Sequence, residues 1–253
     1  MAQRRTVVIN SSASSTCWDV GTGLRHLGVI VDGSRRWAKA RALSTADGHR
    51  AGAEKIHEVL DWCEESGIQV VTMWVLSVAN LRRPADELSP LLNIIEDLVL
   101  DLHCTGRWDV RPIGDFGLLP KRTAAIMSLV AGAEKPQPGA MQVNVAVAYG
   151  GREELVGAVR RSVAELAARG YNAEDIAEAL EERDIARHLY TSGQPDPDLV
   201  IRTSGEQRLS GFMAWQGFQS ELYFCTSLWP DLTRRDFDAA LASYDRRSRT
   251  RGA

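Results

Sequence analysis

Short apolar runs alternate with longer stretches of helical periodicity along most of the chain. Runs rich in Val, Ile and Leu lie at 27–31, 70–76, 109–113, 142–148 and 199–201. Apolar residues recur at helical spacing over 51–65, 87–102, 121–133, 153–169 and 173–189, and a final helix is expected from Arg235. Ile56, Val59, Leu60 and Cys63, for example, form one stripe at i, i+3, i+4 and i+7. This alternation predicts an α/β fold in which helices flank a mostly parallel sheet.

The length and composition favour one domain. The chain has 253 residues, of which 44% are hydrophobic, and these can build one sizeable core. Residues 1–24 are rich in Ser, Thr and Gly without periodicity, so we expect a flexible N-terminal arm there. The predicted folded domain spans residues 25–253.

Charge and cysteine usage exclude several classes of partner. The formal net charge is -3, so no global attraction to nucleic acid or anionic lipid is expected. No run reaches the roughly 18 apolar residues of a spanning helix, which argues against stable membrane insertion. The cysteines show no CxxC pair and fit free thiols in a reducing cytoplasm; they are Cys17, Cys63, Cys104 and Cys225.

The first apolar run ends in residues suited to a diphosphate. Ligands of open parallel sheets bind beyond the carboxyl ends of the strands, where Asp32 stands. A magnesium ion bridging Asp32 and a diphosphate fits, since Mg²⁺ prefers carboxylate, phosphate and water oxygens. A glycine allows close backbone approach, and helix-start amides and arginines neutralise the anion. The candidate binding residues are Gly33, Ser34, Arg35, Arg36 and Trp37. The alternative is an ordinary turn with surface arginines.

Polar groups at two further boundaries extend this candidate site. His49 comes just before the predicted helix 51–65, where a histidine can donate to phosphate. Ser77, Asn80 and Arg83 follow the run 70–76. We assign Arg83 to the first phosphate site and regard His49, Ser77 and Asn80, together with Asp32, as catalytic candidates.

A second arginine cluster follows the run 199–201. Arg202 stands at the strand end, and Arg208 and Ser210 lie in the next loop, so the three form a second anion clamp. Glu221 opens a later apolar run and is a second candidate metal ligand. Two such sites indicate an enzyme that holds two diphosphates and joins their hydrocarbon tails.

The predicted helix 87–102 has two interpretations. Its apolar residues spread over more than one stripe, which favours a helix that is buried on several sides. The second interpretation is a helix whose apolar surface partly faces a lipid-lined tunnel.

The ordered motifs resemble those of the cis-prenyltransferases of the undecaprenyl diphosphate synthase family, from His26 to the C-terminus. The segments that carry this resemblance are DGxxRWA at 32–38, GHRAG at 48–52, Ser77 with Asn80 and Arg83-Pro84, Tyr149-Gly-Gly-Arg152, IRTSGEQRLS at 201–210, and SELYF through LWPD. The resemblance implies a magnesium-dependent homodimer. It also implies protomers with a central six-stranded sheet and a hydrophobic tunnel between the sheet and two helices.

The resemblance further implies a role for each cluster. The first would hold an allylic diphosphate, such as dimethylallyl or geranyl diphosphate, and the second would hold isopentenyl diphosphate. Asp32 would bind magnesium and assist ionisation of the allylic carbon–oxygen bond. The leaving diphosphate would be held by Gly33, Arg36, His49 and Arg83, and the acceptor by Arg202, Arg208 and Ser210.

Departures from the family pattern concentrate around the first site. Ser34-Arg35 replaces the usual Asn-Gly, Thr45 stands where an arginine is usual, and Ala79 replaces a glutamate. We infer retained ionisation with altered acceptor orientation, which favours irregular head-to-middle coupling of two allylic diphosphates into a short, branched, lavandulyl-type product for secondary metabolism. One alternative is ordinary head-to-tail condensation with isopentenyl diphosphate. Another is a non-catalytic partner subunit, against which the retained Asp32 and both arginine clusters argue.

Overall fold

A computed structural model describes residues 23–134, 136 and 138–247. Within these ranges the strands are β1 (His26–Ile30), β2 (Val70–Trp74), β3 (Asp109–Ile113), β4 (Gln142–Ala146), β5 (Leu199–Arg202) and β6 (Glu221–Phe224). The α-helices are α1 (Ser34–Ala40), α2 (Thr45–Glu65), α3 (Ala85–Cys104), α4 (Lys121–Ala131), α5 (Gly151–Ala168), α6 (Ala173–Ala179), α7 (Glu182–Ala186) and α8 (Arg234–Arg246). None of these helices has the length and apolar character needed to cross a membrane.

The strands form one six-stranded sheet in the order β3-β4-β2-β1-β5-β6, and every neighbouring pair is parallel. The predicted α/β architecture is confirmed, with a sheet that is entirely rather than mostly parallel. Because all strands run the same way, their carboxyl ends meet at one edge. The polar segments after β1, β2 and β5 therefore converge there.

Both faces of the sheet are covered. Leu27 and Val29 of β1 belong to a large core that includes the predicted α2 stripe, all of it buried. Ile30 belongs to a smaller core on the alternate face, around Tyr149 and Phe212. All five residues of β1 are buried, as expected for a central strand of a parallel sheet.

Several element boundaries differ from the prediction, most of them by one or two residues, and the start of α2 differs most. Helix α2 begins at Thr45, six residues before the predicted position 51, because Ser44 and Asp47 form a capping box that fixes its start. Gly48 and Gly52 lower the helix propensity of this segment, and for this reason the sequence pattern does not indicate that the helix begins before residue 51. The predicted strand 142–148 ends at Ala146, and Ala148 takes a left-handed conformation with φ of 49°.

The N-terminal boundary also shifts. Leu24, which we had assigned to the arm, is buried in the large core. The remaining arm residues 1–22 lie outside the described residues.

His26 begins β1 inside a buried polar network. Its Nδ1 donates to the carbonyl of Pro195 at 2.7 Å, and its Nε2 lies 2.8 Å from the Thr72 hydroxyl, which in turn accepts from the Asn144 amide at 2.9 Å. Because a carbonyl only accepts, the ring proton is on Nδ1, and in the neutral ring Nε2 accepts from the Thr72 hydroxyl. Burial lowers the pKa of His26 to about 4, although the Pro195 carbonyl and Asp198 favour the charged form.

This network predicts a pH-dependent stability. The unfolded chain takes up a proton on His26 near pH 6.5, whereas the folded chain does so only near pH 4, so stability falls as the pH drops between these values. From pH 7 to pH 5 we expect His26 alone to cost about 2 kcal/mol of unfolding free energy. Urea denaturation at both pH values measures the loss, and the His26→Asn variant should show a smaller difference between them. Equal pH dependence in both proteins would contradict this account.

Candidate diphosphate-binding site

The polar segments enclose a cavity of about 750 Å³ beside the carboxyl ends of β1, β2 and β5. The predicted site residues that line it are Asp32, Gly33, Ser34, Arg35, Arg36, His49, Ser77, Asn80, Arg83, Arg202, Arg208 and Ser210. The two clusters that the sequence separates by some 170 positions thus share one space. Trp37 and Glu221 are not part of the lining.

Arg202 physically joins the two clusters. Its side chain is buried, and Nη2 donates to Oδ2 of Asp32 at 2.9 Å. Its Nη1 donates to the Ser210 hydroxyl at 2.8 Å and also to the carbonyl of Arg208. One guanidinium therefore lies between the aspartate of the first cluster and the loop of the second. Its Nε is buried and has no hydrogen-bond partner in the described structure.

Neighbouring groups keep the side chain of Asp32 ionised. Burial alone would raise the pKa of Asp32, but the hydrogen bond from Arg202 and the positive charges of Arg202 and Arg36 outweigh burial and lower it. Asp32 is thus a carboxylate at neutral pH. Its backbone is fixed as well, since its N–H donates to the hydroxyl of Thr203 at 3.0 Å and its carbonyl accepts from that hydroxyl at 2.6 Å.

His49 enters the cavity from inside α2 rather than from before the helix, because the helix begins at Thr45. Its Nε2 is buried and has no protein partner in the described structure. Burial, reinforced by the positive charges of Arg83 and Arg35, lowers the pKa of His49 to about 4 against the opposing effect of Glu87. The imidazole is therefore neutral at pH 7 and can donate one hydrogen bond to a phosphate oxygen.

Ser77 and Asn80 are already engaged with one another. The Ser77 hydroxyl accepts from the Asn80 backbone N–H at 3.1 Å, and Oδ1 of the Asn80 side chain accepts from the Ser77 backbone N–H at 3.3 Å. This capping box fixes a short 3₁₀ turn, Val78–Arg82, at the cavity wall. The two residues therefore shape the wall of the cavity, whatever further part they play.

Apolar side chains of α2 and α3 line the rest of the cavity. They come from both helices and are Ala53, Ile56, Leu91, Ile94, Ile95 and Leu98. On α3, Leu91, Ile95 and Leu98 also belong to the large core, together with Val99 and Leu102, which do not line the cavity. The helix is thus buried, as the first interpretation holds, and one stretch of its surface lines the cavity; the tunnel stays a prediction.

Glycines bring α2 close enough to form this wall. A Cβ at Gly48 would lie 2.4 Å from the Ser34 carbonyl oxygen, and one at Gly52 would lie 2.8 Å from the Ser34 hydroxyl. Trp229 donates to the Gly52 carbonyl at 2.7 Å and is fully buried. The glycines of GHRAG and the tryptophan of LWPD therefore serve helix packing.

The structure does not bring Trp37 and Glu221 to the cavity. Trp37 donates through Nε1 to Asp231 at 2.7 Å, and Arg41 stacks over its ring, so its indole lies outside the lining of the site. Glu221 pairs with Leu199 at the start of β5, level with Leu27, whereas Asp32 follows the far end of β1. It forms an ion pair with Arg247. Within one chain Glu221 therefore lies away from Asp32, and its role as a second magnesium ligand stays a prediction.

The sequence also missed a carboxylate at this site. Glu87, in the first turn of α3, accepts from Arg35 at 3.1 Å and lies 3.3 Å from Nη1 of Arg83. An acidic residue in the first helical turn is ordinary, and nothing local in the sequence distinguishes this one.

The Asp32 carboxylate suits magnesium, although the described residues do not form a complete set of protein ligands for a metal. No group of three or more His, Cys, Asp or Glu side chains suited to a metal occurs among the described residues. Magnesium usually binds through one or two carboxylates, substrate phosphates and water, and Asp32 supplies such a carboxylate at the cavity. Asp32 is accordingly the residue that would hold the ion together with a bound diphosphate.

A parallel sheet that brings arginines and a carboxylate to a cavity with apolar walls defines an enzyme acting on diphosphates with hydrocarbon tails. The family described as putative undecaprenyl diphosphate synthase matches residues 30–252. The chain belongs to this family and is a prenyltransferase of the cis type.

Individual relatives agree with this assignment. A (2Z,6E)-farnesyl diphosphate synthase from Thermobifida fusca is 56% identical over 229 residues, covering 90% of this chain and 89% of the relative. A short-chain Z-isoprenyl diphosphate synthase from Mycobacterium leprae is 49% identical over 232 residues, covering 90% and 87%. The crystal structure of lavandulyl diphosphate synthase from Lavandula x intermedia in complex with dimethylallyl diphosphate matches with a TM-score of 0.80 and 34% identity, over 90% of this chain and 97% of that one.

Proposed function

We propose that this protein is a short-chain Z-prenyl diphosphate synthase that ionises an allylic diphosphate and condenses it head-to-tail with isopentenyl diphosphate. The observation that carries this proposal is the contact of Arg202, in the second cluster, with Asp32 of the first, at a cavity that both clusters line. Each cluster could hold one diphosphate, and the two diphosphates would then lie close enough for their hydrocarbon tails to be joined.

Cavity size supports a short product. The cavity measures about 750 Å³, which is within the roughly 300–1,000 Å³ typical of sites for drug-sized molecules. Two small prenyl diphosphates suit that space better than a chain of many isoprene units. The names of the Thermobifida and Mycobacterium relatives support the same choice. For this reason we propose head-to-tail condensation rather than irregular coupling, which the sequence alone favoured.

The proposed chemistry depends on charge separation. As the allylic carbon–oxygen bond breaks, its electron pair passes to the diphosphate, which gains negative charge. Arg36, Arg83 and neutral His49 would hold this leaving group, and preorganised donors of this kind lower the barrier by stabilising the developing charge. The acceptor alkene then attacks the allylic carbon, and loss of a proton restores neutrality. Arg208 and Ser210, with Arg202, would hold the acceptor diphosphate.

Magnesium is part of the proposal. Bound at Asp32, it would neutralise diphosphate charge and so assist departure of the leaving group. Arg202 and Arg36 keep Asp32 ionised, as a metal ligand must be.

Irregular head-to-middle coupling remains the second candidate. It is supported by Ala79, which removes the family's usual carboxylate from the 3₁₀ turn at the cavity wall, and by the match to the lavandulyl diphosphate synthase structure. It would use two allylic diphosphates in place of one allylic diphosphate and isopentenyl diphosphate. A non-catalytic subunit is less consistent with a cavity that retains Asp32 and both arginine clusters.

Assembly and compartment complete the proposal. Strand β6 is an edge strand with partly exposed residues, and Phe218 just before it is 86% exposed. Such a surface supports the predicted homodimer.

The cysteines within the described residues, Cys63, Cys104 and Cys225, are free thiols, which suits the cytoplasm.

Substrate choice tests the reaction. The purified protein with magnesium is incubated with dimethylallyl or geranyl diphosphate alone and then with isopentenyl diphosphate added, and dephosphorylated products are identified by mass spectrometry against standards. We expect linear Z-configured short-chain alcohols only when isopentenyl diphosphate is present. A branched lavandulyl-type alcohol from dimethylallyl diphosphate alone would refute head-to-tail condensation and support the second candidate.

Removal of metal or of the Asp32 charge tests the metal role. Excess chelator should abolish product formation and added magnesium should restore it. The isosteric Asp32→Asn variant should lose about 10²-fold or more in kcat, the scale seen when one electrostatic group is removed from an active site. Thermal unfolding of the variant controls for folding. Full activity in excess chelator, or in the variant, would show that Asp32 holds no catalytic metal.

A further inference from the structure

We propose that Glu87 is a positioning residue that holds Arg35 and Arg83 ready for the allylic diphosphate. This inference rests on the proposed function of the first cluster. Glu87 belongs to none of the segments that carry the family resemblance, and Arg35 replaces the family's usual glycine.

The Glu87 carboxylate contacts both arginines but does not line the cavity. Arg35 and Arg83 both line the cavity, whereas Glu87 does not. A single oxygen, Oε1, accepts from Nη1 of Arg35 at 3.1 Å and lies 3.3 Å from Nη1 of Arg83. Each guanidinium carries five N–H donors, so this contact leaves most of them for a phosphate.

The contact joins two elements that flank the cavity. Arg35 lies on α1, Glu87 lies in the first turn of α3, and Arg83 lies two residues before the start of α3. The Arg35 side chain is 55% exposed, while those of Arg83 and Glu87 are 20% and 21% exposed. Without the carboxylate, the more exposed arginine has the most freedom to turn towards solvent.

Two effects of the Glu87 charge oppose each other. The carboxylate reduces the positive potential that attracts a diphosphate, but it also offsets the repulsion between two neighbouring guanidiniums and fixes their direction. The first effect is a field effect that salt screens. The second is a matter of geometry and persists in salt. Because Arg35 is so exposed, we expect geometry to dominate.

The isosteric Glu87→Gln variant tests this proposal. We expect its KM for the allylic diphosphate to rise about tenfold, both at low salt and at high salt, while the KM for isopentenyl diphosphate stays within about twofold. Asp86→Asn is the matched control, because Asp86 lies in the same helical turn and forms no ion pair with an arginine in the described structure. It should leave both constants unchanged. A general loss of folding would not raise one KM selectively.

A double-mutant cycle shows whether Glu87 acts through the arginine. In an Arg35→Ala background, the Glu87→Gln change should lose most of its effect on the allylic KM. Should the glutamine variant not fold, Glu87→Asp, whose carboxylate is one methylene shorter, takes its place with the same expected direction.

The results that would overturn the positioning role of Glu87 differ from those that would overturn the proposed function. An allylic KM that is unchanged, or lowered at low salt, in Glu87→Gln would overturn the positioning role, the latter by showing that Glu87 only competes with the diphosphate. If Arg35→Ala and Arg83→Ala also leave the allylic KM unchanged, the first cluster is not the allylic site and the proposed function itself fails at that point.

Discussion

The buried contact between Arg202 and Asp32 is the interaction on which the rest of the site depends. A buried guanidinium is costly unless it is paired and hydrogen-bonded, and Arg202 meets this need through Asp32, Ser210 and a loop carbonyl. Removal of the Asp32 charge would leave the Arg202 guanidinium buried without its ion-pair partner. The contact fixes the β1 turn against the loop after β5, and it thereby sets the distance between the two anion sites.

The apolar part of the cavity depends on a different constraint, which is close helix packing. Gly48 and Gly52 allow α2 to lie against the Ser34 turn, and the buried Trp229 closes the contact from the other side. Helix α2 can then supply Ile56 to the cavity lining, and α3 supplies further apolar side chains. Charged groups and hydrocarbon surface thus meet in one space, as a substrate with a diphosphate head and a prenyl tail requires.

Local pattern predicted the parallel sheet and the position of the polar segments, because strand periodicity is local and the carboxyl ends of parallel strands share one edge. It did not predict the Arg202–Asp32 contact, which joins residues 170 positions apart. Nor did it give side-chain direction: Trp37 and Glu221 stand in recognisable motifs, yet one side chain binds Asp231 and the other lies at the amino end of β6. Glu87 was missed because its role depends on Arg35, which a different element brings to it.

A crystal structure with magnesium, isopentenyl diphosphate and a non-ionisable dimethylallyl thiolodiphosphate would show whether each cluster holds one diphosphate. We expect one diphosphate in contact with Arg36, His49 and Arg83, and a second in contact with Arg208 and Ser210, with Arg202 between them. Two results would contradict this arrangement. In one, both diphosphates bind to the same cluster; in the other, Arg208 and Ser210 contact no diphosphate at saturating isopentenyl diphosphate.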